Sequence, residues 1–292
     1  MIIWLASYPK SGNTWLRTII GQILTNNFES EKVFENSKSI RLYPSKIDFI
    51  DLDDDFKQSI LTEEKKKIIL NKTAQYWEIS QSTINLNNKT NIFKTHNMLC
   101  KLEIDKKLYS FTSLENTMGV IHIVRDPRNV ISSLINHFSL NSEETAIKFI
   151  LNENQTIGIN ENQIPQLLSS WKNHYKSWKR FPKNNHLVRY EDLILNPKDE
   201  ILRLIKFLKK FLNFSISSND IDKIILNSSF QNLKNLENKG FFNENAKNYS
   251  SGKLQNFFHL GEKNNWKELI KSNTAHDLVR NFQDEMKELK YI

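Results

Sequence analysis

The sequence predicts an α/β fold: a single domain over residues 1–292, with a central parallel sheet flanked by helices. Three observations carry this. Short apolar runs alternate with longer stretches of helical period, which is the pattern of strands joined by crossover helices. No internal repeat and no long linker interrupts the alternation. Several apolar runs also end in a cationic or aromatic residue, as strands do where an open α/β sheet binds its ligand.

The elements follow in order. Ile2 to Ser7 forms the first strand, and a helix from about Asn13 places Trp15, Leu16, Ile19, Ile20, Ile23 and Leu24 on one face. Residues 62 to 86 read as a second helix, leading to a strand at Asn91–Thr95. Gly119 to Val124 is the clearest strand. After it, Asp126 and Pro127 supply an N-cap and a first-turn proline to a helix burying Val130, Ile131, Leu134, Ile135 and Phe138. A helix over about 165–180, a strand from His186 to Tyr190, helices at about 198–211 and 218–227, and a last helix from Thr274 to Lys290 complete the series. Residues 28–60, with the acidic cluster Asp51, Asp53, Asp54 and Asp55, read as a solvated loop, and 237–258 as a surface loop that could act as a lid.

Composition narrows the class. With 39% hydrophobic and 25% charged residues in 292, the chain is not a mainly disordered one. No apolar run approaches the ~20 residues needed to span a bilayer. Met1 to Ala6 is too short for a signal peptide and has no basic leader. One cysteine, Cys100, excludes an internal disulfide framework and a multi-cysteine zinc site. A soluble cytoplasmic protein is the expectation. The 41 basic and 33 acidic residues leave a net charge of +8, compatible with nucleic acid, an anionic small molecule or solubility alone. The longest basic run, Lys65 to Lys67, follows Glu63 and Glu64 in a helical stretch and reads as a solvated helix face.

The chemistry concentrates at strand ends. Strand one runs through Ser7, Tyr8 and Pro9 into Lys10-Ser11-Gly12-Asn13-Thr14-Trp15 and then into a helix. A turn of small residues before a helix N-terminus presents backbone N–H groups and the positive end of the helix dipole, an anion cradle. Lys10 adds a cation; Ser11 and Thr14 add hydroxyl donors. The ATP-type loop G-x-x-x-x-G-K-[ST] is absent, because Asn13 follows Gly12 and the lysine lies two residues before it. No carboxylate suited to magnesium closes a hydrophobic strand, which counts against metal-dependent phosphoryl transfer. Lys94, His96, Arg125 and Tyr190 lie at the ends of other strands and should converge with Lys10 on one sheet edge. Ser133 follows Arg125 by eight residues, ~12 Å along a helix, so the pair could grip one phosphate. Among seven histidines His96 is the candidate base, since it follows Lys94 at a strand end. His122 reads as a hydrogen-bonded core residue. No second ligand lies at metal spacing from His96.

At these residues the sequence resembles the cytosolic-type sulfotransferases that use 3′-phosphoadenosine 5′-phosphosulfate (PAPS), from Trp4 to about Trp266. Tyr8-Pro9-Lys10-Ser11-Gly12-Asn13-Thr14-Trp15 is similar to their 5′-phosphosulfate loop, Arg125 with Ser133 to their 3′-phosphate pair, and Lys94-Thr95-His96 to the segment carrying their catalytic histidine. Tyr190, Trp15 and the run Ser228-Ser229-Phe230 before Lys234 resemble adenine-side contacts. The C-terminal signature departs: where the family has Arg-Lys-Gly or Arg-x-Gly, then a second glycine and a tryptophan, this chain has His259-Leu260-Gly261, Asn264 and Trp266. A neutral imidazole cannot make the bidentate grip of a guanidinium, so the 3′-phosphate hold is expected to be weaker unless Lys263 compensates.

The resemblance implies a single sulfotransferase-like domain of P-loop nucleotide-binding-like fold, with PAPS as cosubstrate and no metal. Sulfuryl transfer goes to a hydroxyl or amine, with His96 as base, Lys10 on the developing charge and Lys94 bracing the transferred group. The acceptor is a small molecule, carbohydrate or lipid that the sequence does not encode recognisably; no nucleic acid or membrane span is implied, and oligomeric state is left open. Tyr76, Trp77 and Phe138 are candidate pocket aromatics, though core packing is their commoner use. The rival readings are a small-molecule or nucleotide kinase and a nonenzymatic binder of adenosine bisphosphate or nucleic acid.

Overall fold

The computed structural model describes residues 1–43, 62–86, 89–158, 164–244 and 256–292. The expected acidic cluster at 51–55 and, of the expected loop 237–258, residues 245–255 lie outside them. The chain divides into two compact units interleaved along the sequence: Met1–Tyr8, Arg41–His122 and Asn152–Leu187 form one, and Pro9–Ile40, Ile123–Leu151 and Val188–Ile292 form the other.

The first unit is built on a five-stranded sheet. Its strands are β1 (Ile2–Ser7), β2 (Arg41–Leu42), β3 (Asn91–Thr95), β4 (Thr117–Val124) and β5 (Asn185–Arg189), in the order β2-β3-β1-β4-β5. The last two residues of β4 and of β5 belong to the second unit. Every residue of β1 is buried, as a central strand covered on both faces requires. β1 pairs with β3 in parallel, Ile2 opposite Asn91 through Ala6 opposite Thr95, and β2 pairs with β3 the same way. One aromatic cluster fills the core: Trp4, Tyr43, Trp77, Phe93, Phe111 and Trp178. Trp77 is therefore a core residue and not a pocket wall. The Trp4 indole N–H donates to Thr112 at 3.2 Å and Thr117 at 3.1 Å, so the buried ring leaves no orphaned donor.

Two local readings of this unit need correction. The helix expected over 165–180 is the shorter Trp171–Lys179, preceded by a two-residue strand Gln166–Leu167 paired with Thr156–Ile157. The reason is Ser169, at φ 58, followed by Ser170, whose hydroxyl caps the helix by accepting from the Asn173 amide. A hairpin also went unseen, Lys101–Ile104 against Lys107–Ser110. Its two turn residues, Asp105 and Lys106, have φ of 50 and 66, but Asp-Lys lacks the glycine that usually announces such a turn.

The second unit is mainly helical. Helix α1 is Asn13–Thr25, begun at Gly12; α2 is Pro127–Phe138, capped by the Asp126 carboxylate, which accepts from the Arg128 amide at 2.9 Å. Tyr190 does not end a strand. It opens a short helix α3, Tyr190–Leu195, after Arg189 closes β5. Pro197 then starts α4, Pro197–Leu208, and Ser217 with Asp220 forms a capping box for α5, Ser218–Asn227. Ser229 caps α6, Phe230–Asn238. The final helix spans Ser272–Glu288.

The two expected loops are largely packed structure where described. Residues Val33–Ser37 are helical, and Val33, Phe34, Phe242 and Phe258 join Leu233 and Leu236 in an apolar cluster. The buried Glu237 carboxylate accepts from the amides of Phe257 at 2.6 Å and Phe258 at 3.0 Å. Aromatics at 34, 242 and 258 are too irregularly spaced to read as one face of any element, which is why the sequence reads them as loop.

Candidate functional site

The loop after β1 is shaped by its backbone. Lys10 has φ 66 and Gly12 φ 103, two left-handed residues around Ser11, and α1 starts at Asn13 with the Leu16 amide donating to the Gly12 carbonyl. Such an alternation curls consecutive N–H groups into a concave nest at a helix N-terminus. A Cβ on Gly12 would lie 2.5 Å from Cδ2 of Tyr190 and 3.1 Å from Cδ1 of Ile123, so both conformation and space demand glycine.

Arg125 and Tyr190 brace this nest. The Arg125 guanidinium donates to the Lys10 carbonyl at 3.2 Å and lies 4.0 Å from the centre of the Tyr190 ring, a cation–π arrangement. Trp15 meets Tyr190 edge to face, 5.2 Å between centres. The Asp126 amide donates to the Glu191 carboxylate at 3.0 Å, and burial holds the Glu191 carboxyl above its usual range. The Lys10 ammonium stands 3.9 Å above the Phe257 ring. Three buried polar atoms, Ser11 Oγ, Trp15 Nε1 and Arg125 Nε, have no hydrogen-bond partner among the described residues. Buried donors are rarely left orphaned, and several at one loop mark a place for a polar ligand.

Trp15 and Tyr190 also wall an apolar cavity of about 200 Å³, closed by Leu193, Phe230, Phe258 and Gly261, with Ser228 and Ser229 on its lining. The dimensions and the flat walls suit a planar heterocycle. The two serines have structural employment as well: Ser228 Oγ accepts from the Gln22 amide at 3.0 Å, and Ser229 Oγ accepts from the Asn232 amide as the α6 cap. Gly261 has φ 57, and a Cβ there would lie 2.5 Å from the Phe230 ring.

The C-terminal run reaches α2 through Asn264. This buried side chain donates to Ser133 Oγ and to the Asn129 carbonyl, each at 3.0 Å, and accepts from Ser132 Oγ at 2.8 Å. The Trp266 amide donates to the Asn129 side chain at 2.9 Å, and Arg128 lies 4.1 Å from the Trp266 ring centre. His259 and Lys263 are exposed.

The other candidate residues lie in the first unit. His96 follows β3, its Nδ1 2.8 Å from the Ser7 carbonyl and 3.1 Å from Ser7 Oγ. A carbonyl can only accept, so Nδ1 carries the proton of the neutral ring and Nε2 is its basic nitrogen. The His96 amide donates to the Gln166 side chain at 2.9 Å. Lys94 is half-buried in β3, its carbonyl accepting from the Tyr43 amide at 3.0 Å. His174 is fully buried edge-on to Tyr8, and burial, reinforced by the fields of His122 and His96, holds it well below the ordinary histidine range. His122 corrects the sequence reading. Among the described residues neither of its ring nitrogens has a hydrogen-bond partner; it stacks on Tyr175 at 5.8 Å, and burial lowers it to about 3, so it is a neutral apolar filler.

Thus one unit gathers Lys10 through Trp15, Arg125, Ser133, Tyr190, Ser229, Phe230 and Gly261, while Lys94 and His96 belong to the other. Sequence reasoning gave no role to three contributors. Glu191 adjoins the noticed Tyr190 in an acidic first turn shared with Asp192, and only its burial sets it apart. Phe257 acts on Lys10 from far along the chain and carries no local signal, while Asn264 shows in the sequence only as a departure from a glycine and reaches its partner Ser133 across 131 residues.

Known proteins agree with this architecture. A family model described as a sulfotransferase domain matches residues 2–290. Sulfotransferase 1B1 of Canis lupus familiaris is 28% identical over 242 residues, 80% of this chain and 66% of that protein. Sulfotransferase 1E1 of Homo sapiens is 24% identical over 294 residues, 97% of this chain and 83% of that protein. The chain thus spans about two thirds of one relative and more of the other. Among solved structures, retinol dehydratase in complex with androsterone and the inactive cofactor PAP superposes with a TM-score of 0.60 at 19% identity, covering 98% of this chain and 80% of that one. The mouse sulfotransferase SULT7A1 complexed with PAP gives 0.57 at 17%, covering 98% and 84%. These two establish the fold.

Proposed function

Since the chain belongs to the sulfotransferase domain family, we propose that it transfers the sulfuryl group of PAPS to a hydroxyl or amine of an acceptor, with residues 1–292 acting as one catalytic domain. The observation that carries this reading is the nest at Lys10 and Gly12, with its orphaned buried donors beside an aromatic cavity sharing Trp15 and Tyr190. Those residues fit PAPS: amides and hydroxyls for an anionic chain, an arginine for a second phosphate, and flat aromatic walls for adenine. The PAP held by the two similarly folded proteins supports the same assignment.

PAPS supplies a sulfuryl group bonded through oxygen to phosphate; that S–O bond breaks as sulfur bonds the acceptor oxygen or nitrogen. The amides and hydroxyls from Ser11 to Trp15 hold the 5′ end, and Lys10 neutralises the negative charge left on the phosphate oxygen. Arg125 and Ser133 take the 3′-phosphate, with His259 nearby in sequence to Gly261 at its edge, while Tyr190, Ser229, Phe230 and Gly261 frame the adenine. His96 accepts the acceptor's proton on Nε2, the nitrogen left basic when Nδ1 donates to Ser7. Lys94 braces the transferred group. No metal and no nucleic acid has a role in this scheme, and the family match does not favour a kinase or a nonenzymatic binder.

The acceptor belongs to the small-molecule, carbohydrate or lipid class; the androsterone in one similarly folded protein supports an apolar alcohol among these. A cytoplasmic location accords with the cytosolic-type resemblance, and among the described residues no helix is long and apolar enough to cross a membrane. The test is His96→Ala, assayed with radiolabelled PAPS and an acceptor identified from labelled extract. Turnover should fall ~10²–10⁴-fold, the usual contribution of a positioned base, with affinity for PAP unchanged. Unchanged turnover removes His96 from the mechanism.

A further inference from the structure

We propose that Asn264 is the positioning residue that sets the Ser133 hydroxyl as a donor to the 3′-phosphate, in a chain where the family's arginine is replaced by His259. The proposal rests on the PAPS reading above. Three bonds define Asn264: its amide group lies 3.0 Å from the Asn129 carbonyl, 3.0 Å from Ser133 Oγ and 2.8 Å from Ser132 Oγ. The first of these orients the amide, because the atom facing a carbonyl oxygen at that distance must be the nitrogen. Nδ2 therefore donates both to Asn129 and to Ser133, and Oδ1 accepts from Ser132.

The consequence falls on Ser133. A serine inside a helix normally turns its hydroxyl back onto the carbonyl four residues earlier, which for Ser133 is Asn129. Here Asn264 already supplies a donor to that carbonyl and fills a lone pair of Ser133 Oγ. The Ser133 hydrogen is taken by no acceptor among the described residues. Ser133 is thereby held as an outward donor, which is what an anionic oxygen needs and what a backbone-bonded serine is not.

Position 264 can carry this side chain because its backbone is ordinary, with φ −77, so glycine is not required there. Ser132 completes the device by donating its hydroxyl to the Asn264 side-chain oxygen, which keeps the amide from rotating. The exposed His259 offers no comparable fixed donor.

The experiment measures calorimetric affinity for adenosine 3′,5′-bisphosphate and for adenosine 5′-monophosphate, which lacks the 3′-phosphate, in the full chain and in Asn264→Ala, Asn264→Asp and Ser132→Ala. The unmodified protein should prefer the bisphosphate. Asn264→Ala should reduce that preference about tenfold, the size expected for a hydrogen bond to a charged group, leaving monophosphate affinity within about twofold. Asn264→Asp keeps the shape but replaces the donor by a negative charge, and should reduce the preference further; Ser132→Ala should reduce it about two- to threefold. A preference unchanged in both Asn264 variants overturns the inference while leaving the PAPS site intact. Equal loss of both ligands also overturns it, because Asn264 would then only hold the fold. No binding of either nucleotide by the unmodified protein removes the PAPS reading itself, and the inference with it.

Discussion

The loop from Lys10 to Trp15 and the run from His259 to Trp266 are both candidate-site segments of the same unit, yet they are specified by different physics. In the loop the backbone carries the specification: φ of 66 and 103 at Lys10 and Gly12, and no room for a Cβ beside Tyr190. In the C-terminal run a side chain does much of the work, with Asn264 bridging to Ser133 and Asn129. Gly261 and Asn264 in that run show where each rule applies. Gly261 stands at φ 57 against the Phe230 ring, whereas Asn264 stands at φ −77, where any residue fits. Glycine persists where conformation and contact both exclude a side chain, and gives way where neither does.

Gly12→Ala is the strongest way to break this comparison. It places a Cβ in a left-handed residue and against Tyr190, a conformational cost of ~1 kcal/mol or more before any displacement of the ring. Affinity for adenosine 3′,5′-bisphosphate should fall ~100-fold by calorimetry, since both the nest and the Arg125–Tyr190 brace must shift. An affinity within about threefold of the parent would mean the loop is not limited by its backbone.

Gly261→Ala should do less, about a tenfold loss, because it displaces one cavity wall and leaves the nest intact. Its signature separates it from Asn264: bisphosphate and monophosphate should weaken together, as the adenine side is what moves. Loss confined to the bisphosphate would assign Gly261 to phosphate instead.

The smallest change sharpens the comparison in the other direction. His259→Arg restores a fixed, always-charged fork to an exposed position, and should raise bisphosphate affinity about three- to tenfold with no gain for the monophosphate. The gain should shrink as salt is raised, because an exposed charge is screened. No gain would show that the Asn264 arrangement already saturates the 3′-phosphate.

Much of the fold was legible where local chemistry is decisive. β1 is six consecutive residues ending at a turn, α1 has near-perfect apolar spacing, and α2 is announced by Asp126-Pro127. The turn between β1 and α1 was legible for the same reason, since small residues and a glycine directly before an amphipathic helix mark a tight strand-to-helix turn. What failed was either short or long-range. The Lys101–Ser110 hairpin turns through Asp-Lys, and Tyr190 begins a six-residue helix too short to show a period. The aromatics at 34, 242 and 258 form one cluster only when the chain is folded.

The sequence by itself determined most of the order of strands and helices, the lysine, serine and glycine turn ahead of α1, and the departure at His259. Tertiary structure alone decided that Asn264 bonds Ser133 across 131 residues, that the Glu237 carboxylate secures the amides of Phe257 and Phe258, and that His122 is a neutral filler with no hydrogen-bond partner among the described residues. The reason is the range over which each force leaves a trace. Propensity, capping and periodicity act within a few residues and are written into neighbouring letters. A hydrogen bond closed across a hundred residues depends on which backbones pack together, and leaves nothing periodic to read.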